Sequence, residues 1–65
     1  MTIEEAKTAL GECQKITHER FLPHEYVFIE NGVLWDEENN ELDYDFFWSS
    51  RNNSMFERGW SIWNG

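Results

Sequence analysis

Apolar residues over the first fourteen positions recur at Ile3, Ala6, Leu10 and Cys13, steps of three, four and three that draw one narrow stripe along a helix. The polar residues around them agree: Thr2 stands where an N-cap belongs, Glu5 completes a capping box, and Glu4 adds negative charge at the positive end of the dipole. The pattern predicts a helix over residues 2–14, with Gly11 weakening its last turn and ending it early. On this reading Cys13 is a small buried thiol on the apolar stripe. The period then changes. "KITHERF", Lys15 to Phe21, alternates as a short strand before Pro23 imposes a turn.

The strongest local signal follows: "YVFIE", "NG", "VLWDE". Asn31-Gly32 between two β-rich runs supplies both positive φ angles of a type I′ hairpin, which pairs Glu30 with Val33, Ile29 with Leu34 and Phe28 with Trp35. Apolar pairs thus lie on both sides of the ribbon. One side meets the N-terminal helix; the other is covered by a later segment or left for a partner. "DEENNE" is polar and turn-like. Asp43 or Tyr44 begins a short helix through "DYDFFWSSR", with acid at its start and Arg51 near its last turn. "RNNS" breaks it, Ser54 caps one turn over "MFER", Gly59 ends that turn, and "WSIW" closes the chain as a strand.

These elements predict a single α+β domain over residues 1–65: an N-terminal helix packed on a small antiparallel sheet with a type I′ hairpin, and one or two further short helices. At 65 residues such a domain must build its core efficiently. Aromatic side chains are 17% of the chain, which is how so few residues reach sufficient apolar burial. Core packing accounts for most of Trp35, Phe46, Phe47, Trp48, Trp60 and Trp63, with Trp63 the one expected at the surface.

Charge changes the picture more. Thirteen acidic against five basic residues leave a formal net charge of −8, which disfavours direct binding to DNA, RNA or an anionic membrane and favours basic protein surfaces. No segment reads as a signal peptide or spanning helix, and the lone Cys13 forms no internal disulfide, so a reducing cytoplasm is the expected setting. Six carboxylates crowd "LWDEENNELDYDFFW": Asp36, Glu37, Glu38, Glu41, Asp43 and Asp45, with no basic residue among them. Acids two apart on a strand sit about 6.6 Å from one another, close to two phosphate steps of about 3.4 Å on one DNA strand. A solvated loop that keeps an aromatic-rich domain soluble explains the same run.

Catalytic and metal chemistry find little footing. His18-Glu19 and His24-Glu25, with Cys13 upstream, offer zinc-type ligands but fall either side of Pro23 without ligand spacing, and both histidines are expected at a sheet edge, hydrogen-bonded or wet. No glycine-rich phosphate loop is present, and a crowded exposed acid run does not make a general acid–base pair. The expectation is a non-enzymatic protein without metal or cofactor.

In size, acid-rich "DEENNELDYD" segment and dense aromatics, the chain resembles the small acidic anti-CRISPR proteins of phages and mobile elements that mimic DNA. The resemblance implies an inhibitor in the cytoplasm of a bacterial host, whose Asp36, Glu37, Glu38, Glu41, Asp43 and Asp45 occupy the basic nucleic-acid-binding surface of a CRISPR effector, with Tyr44 or Trp48 as an anchor at that contact. A more local likeness joins "IEEAKTALGECQKI" and the terminal "RGWSIW" to the phage Thoeris anti-defence family, which sequesters nucleotide signals. It implies an oligomeric nucleotide binder relying on Arg20, Arg51 and Arg58, although "THERFLPHE" does not match that family's aromatic segment. A generic acidic interaction module is the third alternative.

Overall fold

Local signals set most of the elements in the computed structural model, which describes residues 1–64; Gly65, the last residue of the expected domain, lies outside the described residues. Helix α1 runs Ile3–Gly11 behind a complete capping box in which the Thr2 hydroxyl accepts from Glu5 N–H and the Glu5 carboxylate accepts from Thr2 N–H at 2.9 Å. It ends before residue 14 in a Schellman motif: Cys13 N–H donates to the Leu10 carbonyl (3.0 Å) and Gln14 N–H to the Ala9 carbonyl (3.1 Å). Cys13 takes the left-handed position of that motif, at φ 64°, and is exposed. The expectation of a buried Cys13 is therefore corrected, because the chain leaves the helix before the stripe reaches it. Ala9 replaces it among the buried helix residues, with Ala6 and Leu10.

Strands β1 (Ile16–His18), β2 (Val27–Glu30), β3 (Val33–Asp36), β4 (Glu41–Leu42) and β5 (Trp60–Ile62) form one antiparallel sheet in the order β4-β3-β2-β1-β5. The hairpin register is the one the sequence predicts: Glu30 opposite Val33, Ile29 opposite Leu34, Phe28 opposite Trp35. Asn31 and Gly32 hold φ of 55° and 76°, as a type I′ turn requires. Strand β1 is shorter than Lys15–Phe21 because the chain turns at Glu19 and Arg20. Helix α2 spans Tyr44–Ser49, with the Asp43 carboxylate capping it through Phe46 N–H at 2.8 Å. A 3-10 turn, Ser54–Phe56, is capped by Asn53 rather than by Ser54: the Asn53 side chain accepts from Met55 N–H at 2.9 Å.

Residue alternation sorts the sheet into two faces. Ile16, His18, Val27, Ile29, Leu34, Leu42, Trp60 and Ile62 point to one side, where Ala6, Ala9 and Leu10 of α1 and Phe47 and Trp48 of α2 complete the buried cluster. Trp60 is its centre, 1% exposed, with ring centroids 5.1 Å from Trp48 and 4.7 Å from His18, and its indole N–H donates to the Phe56 carbonyl at 2.7 Å. The other face carries Thr17, Tyr26, Phe28 and Trp35, with Trp63 just beyond β5; none of these is fully buried.

Candidate protein-interaction surface

The acid run is a bent structure rather than one extended strand. Asp36 ends β3 and organises the turn after it: its Oδ1 accepts from the N–H groups of Glu38 and Asn40, both at 2.9 Å, and its Oδ2 from the Asn40 side chain at 3.2 Å. Partial burial pushes the Asp36 pKa up, and these hydrogen bonds outweigh that, leaving it below its ordinary value. Asp36 is thus ionised at neutral pH and committed to the turn. Glu37 and Glu38 ride on the turn, Glu41 stands in β4 opposite Trp35, Asp43 caps α2, and Asp45 lies in its first turn. Only Glu41 and Asp43 keep the two-residue step of an extended chain, so the regular phosphate-like spacing does not extend along the run. What remains is an acidic rim along the β4 edge and the start of α2.

The anchors are distributed differently from the sequence expectation. Tyr44 is 40% exposed and available, whereas Trp48 is 5% exposed in the core, edge-to-face with Phe47 at 5.0 Å between ring centroids. Trp48 is corrected to a core residue: six helical residues can turn only one side to the sheet, and Phe47 and Trp48 take it. Its indole Nε1 is buried with no hydrogen-bond partner among the described residues. Phe46 is the residue that sequence reasoning assigned to the core and the structure turns outward, 71% exposed. A signal for it existed: Ser49 and Ser50, three and four residues on, share its side of the helix.

Beside Phe46 opens a cleft of about 250 Å³. Helix α2 and its cap contribute Phe46, Phe47 and Asp43, the sheet contributes Val27, Asp36 and Leu42, and the Phe21–Tyr26 segment adds Phe21, Glu25 and Tyr26. Arg51 lines it too. Its guanidinium lies 4.0 Å over the Phe47 ring and its Nη1 donates to the Phe47 carbonyl at 3.2 Å, completing the end of α2. Burial lowers the Arg51 pKa from its ordinary value and the charge of Glu25 opposes that shift.

The histidines part company. His18 is 2% exposed, in a strand flanked by β2 and β5 instead of at a sheet edge. Its Nδ1 accepts from Arg20 N–H at 3.0 Å, so the Nε2–H tautomer donates to the Arg58 carbonyl at 2.7 Å, within a cage of Phe21, Phe56 and Trp60. His24 is exposed. No group of three or more His, Cys, Asp or Glu side chains is placed to hold a metal among the described residues. No helix among them is long and apolar enough to cross a membrane. On the outer sheet face Trp63 stacks on Tyr26 at 4.2 Å between centroids, and Lys15 Nζ lies 5.0 Å from the Tyr26 ring centre and 5.6 Å from that of Trp63. Trp63 is half-buried by this contact. Comparison of the chain with protein-family models, with curated proteins and with solved structures finds no match.

Proposed function

We propose that this protein is a non-enzymatic inhibitor that works in the cytoplasm of a bacterial host by occupying a basic, nucleic-acid-binding surface of a defence complex, as the DNA-mimic anti-CRISPR proteins it resembles do. One observation carries the reading: Phe46, 71% exposed, lines a cleft together with Asp36 and Asp43, and Asp45 precedes it in the chain. A large exposed apolar side chain ringed by charge is the makeup of a binding surface, with the ring as anchor and the carboxylates steering and orienting the partner. The mechanism is competition, in which Glu37, Glu38, Glu41, Asp43 and Asp45 pair with Lys and Arg side chains that otherwise hold phosphates. Tyr44 adds a second contact ring.

The test is capture of purified candidate CRISPR effectors by the tagged protein at low and high salt, with and without target DNA. Capture weakened by salt and by DNA, and lost when Glu37, Glu38 and Glu41 become Gln and Asp43 becomes Asn, is the expected result. The variant's melting temperature should stay the same or rise as self-repulsion is relieved. Undiminished capture by the quadruple variant refutes the reading.

A second reading has one observation in its favour. The chain opens with a short helix and closes in the Trp-containing strand Trp60–Ile62, the order that the likeness to the Thoeris anti-defence family describes. The cleft beside Phe46, at about 250 Å³, is below the roughly 300–1,000 Å³ of small-molecule sites, so on this second reading the nucleotide binds elsewhere on the surface or between subunits. A thermal shift with cyclic or ADP-ribose-type nucleotides, absent with effectors, would favour it.

A further inference from the structure

We propose that the cleft beside Phe46 takes one arginine side chain of the partner protein; this rests on the preceding reading and names what enters that surface. The charged groups lining the cleft are three carboxylates, Glu25, Asp36 and Asp43, against the single guanidinium of Arg51. Three carboxylates against one guanidinium leave the lining with a formal charge of −2, so the cleft is negative. Asp36 is held ionised by the hydrogen bonds of its turn. Asp43 gives one oxygen to the Phe46 N–H, and its other oxygen accepts no hydrogen bond among the described residues.

The rest of the lining is apolar or aromatic: Phe21, Tyr26, Val27, Leu42 and Phe47, with the exposed ring of Phe46. A mostly apolar lining of net negative charge, with one Asp43 carboxylate oxygen free of the helix cap, matches a side chain with a hydrocarbon stem and a cationic head. The aromatic lining selects arginine over lysine, because a planar guanidinium stacks on a ring while its fork bonds a carboxylate, and an ammonium does not. Arg51 on Phe47 shows the same stacking inside this cleft wall. A volume of about 250 Å³ is that of a slot for one side chain rather than for a whole nucleotide.

The probe is N-acetyl-arginine methylamide, titrated into isotope-labelled protein and followed by amide chemical shifts, with the neutral citrulline analogue and hexa-arginine beside it. Saturable shifts at Phe21, Leu42, Asp43, Phe46 and Arg51, absent with citrulline, are expected. Asp43→Asn keeps the helix cap, since Asn caps as well as Asp, and should weaken binding about tenfold, the low end for a lost charge-assisted hydrogen bond. Asp45→Asn removes the same charge from the same helix outside the cleft lining and should leave binding within about twofold, as expected of an exposed, screened charge. Equal weakening by the two variants, or shifts confined to Glu37, Glu38 and Glu41, overturns the arginine slot while leaving the acidic surface in place. Hexa-arginine that shifts no residue overturns both.

Discussion

Cys13 holds the left-handed position of the Schellman motif that ends α1, a place usually filled by glycine, and Cys13→Gly should stabilise the fold. At φ 64° the cysteine Cβ crowds the backbone, which costs roughly 1–2 kcal/mol. Glycine removes that strain and loses about 0.5–1 kcal/mol of it again through the greater freedom of the unfolded chain. Cys13 is exposed, so little packing is lost with its side chain. The balance is a gain of about 0.5–1 kcal/mol, or roughly 2–8 °C in Tm for a domain of this size. Thermal melts followed by circular dichroism under reducing conditions would read it, with Cys13→Ala as the control that removes the thiol and keeps the strain. The alanine variant should melt with the parent protein. If glycine is no more stable than alanine, the left-handed geometry does not govern the end of this helix.

Asp36 has a lowered pKa in the fold, so its contribution to stability is fully present above its unfolded value near pH 4 and is lost as pH falls through the lowered folded value. Urea midpoints of the parent protein and Asp36→Asn should therefore differ at neutral pH and converge toward pH 2; a gap that does not change with pH would show that its charge plays no part in the turn. Glu5, lowered by the Thr2 N–H and hydroxyl, adds a slope of the same sign in both proteins. Gly59 precedes β5 at φ 95°, and an added Cβ would lie 2.8 Å from Glu19 Cδ. The Glu19 side chain can swing away, so the dihedral dominates, and Gly59→Ala should cost about 1–3 kcal/mol in denaturant melts. An alanine variant as stable as the parent would mean that residue 59 leaves this conformation without cost.

Most elements with a local cause were legible in the sequence; the short strand β4, which begins at Glu41 inside the stretch that reads as a turn, and the Asn53 cap were not. Asn31-Gly32 dictates the hairpin and its register because only residues tolerant of positive φ fit a type I′ turn, and the register follows from the turn. Thr2 with Glu5, and Asp43, start their helices through hydrogen bonds that span three residues. The net charge of −8, the acid-rich segment and the absence of a glycine-rich phosphate loop were equally plain.

Tertiary structure decided the rest, because burial depends on which segments meet. Cys13 is the exception, a local one: apolar periodicity put it inside, and two backbone hydrogen bonds at the helix end turned it outward. His18 was read as an edge residue, yet β5 returns across some forty positions of chain to pair with β1, so it became a buried ring with both nitrogens engaged. In "DFFW" three adjacent aromatics are equal by composition. Only the seating of α2 on Trp60 and α1 turned Phe47 and Trp48 inward and left Phe46 in water beside a cleft. That cleft joins residues from Phe21 to Arg51, and no pattern along the chain brings them together, since their proximity is set by the order of strands and the packing of one helix.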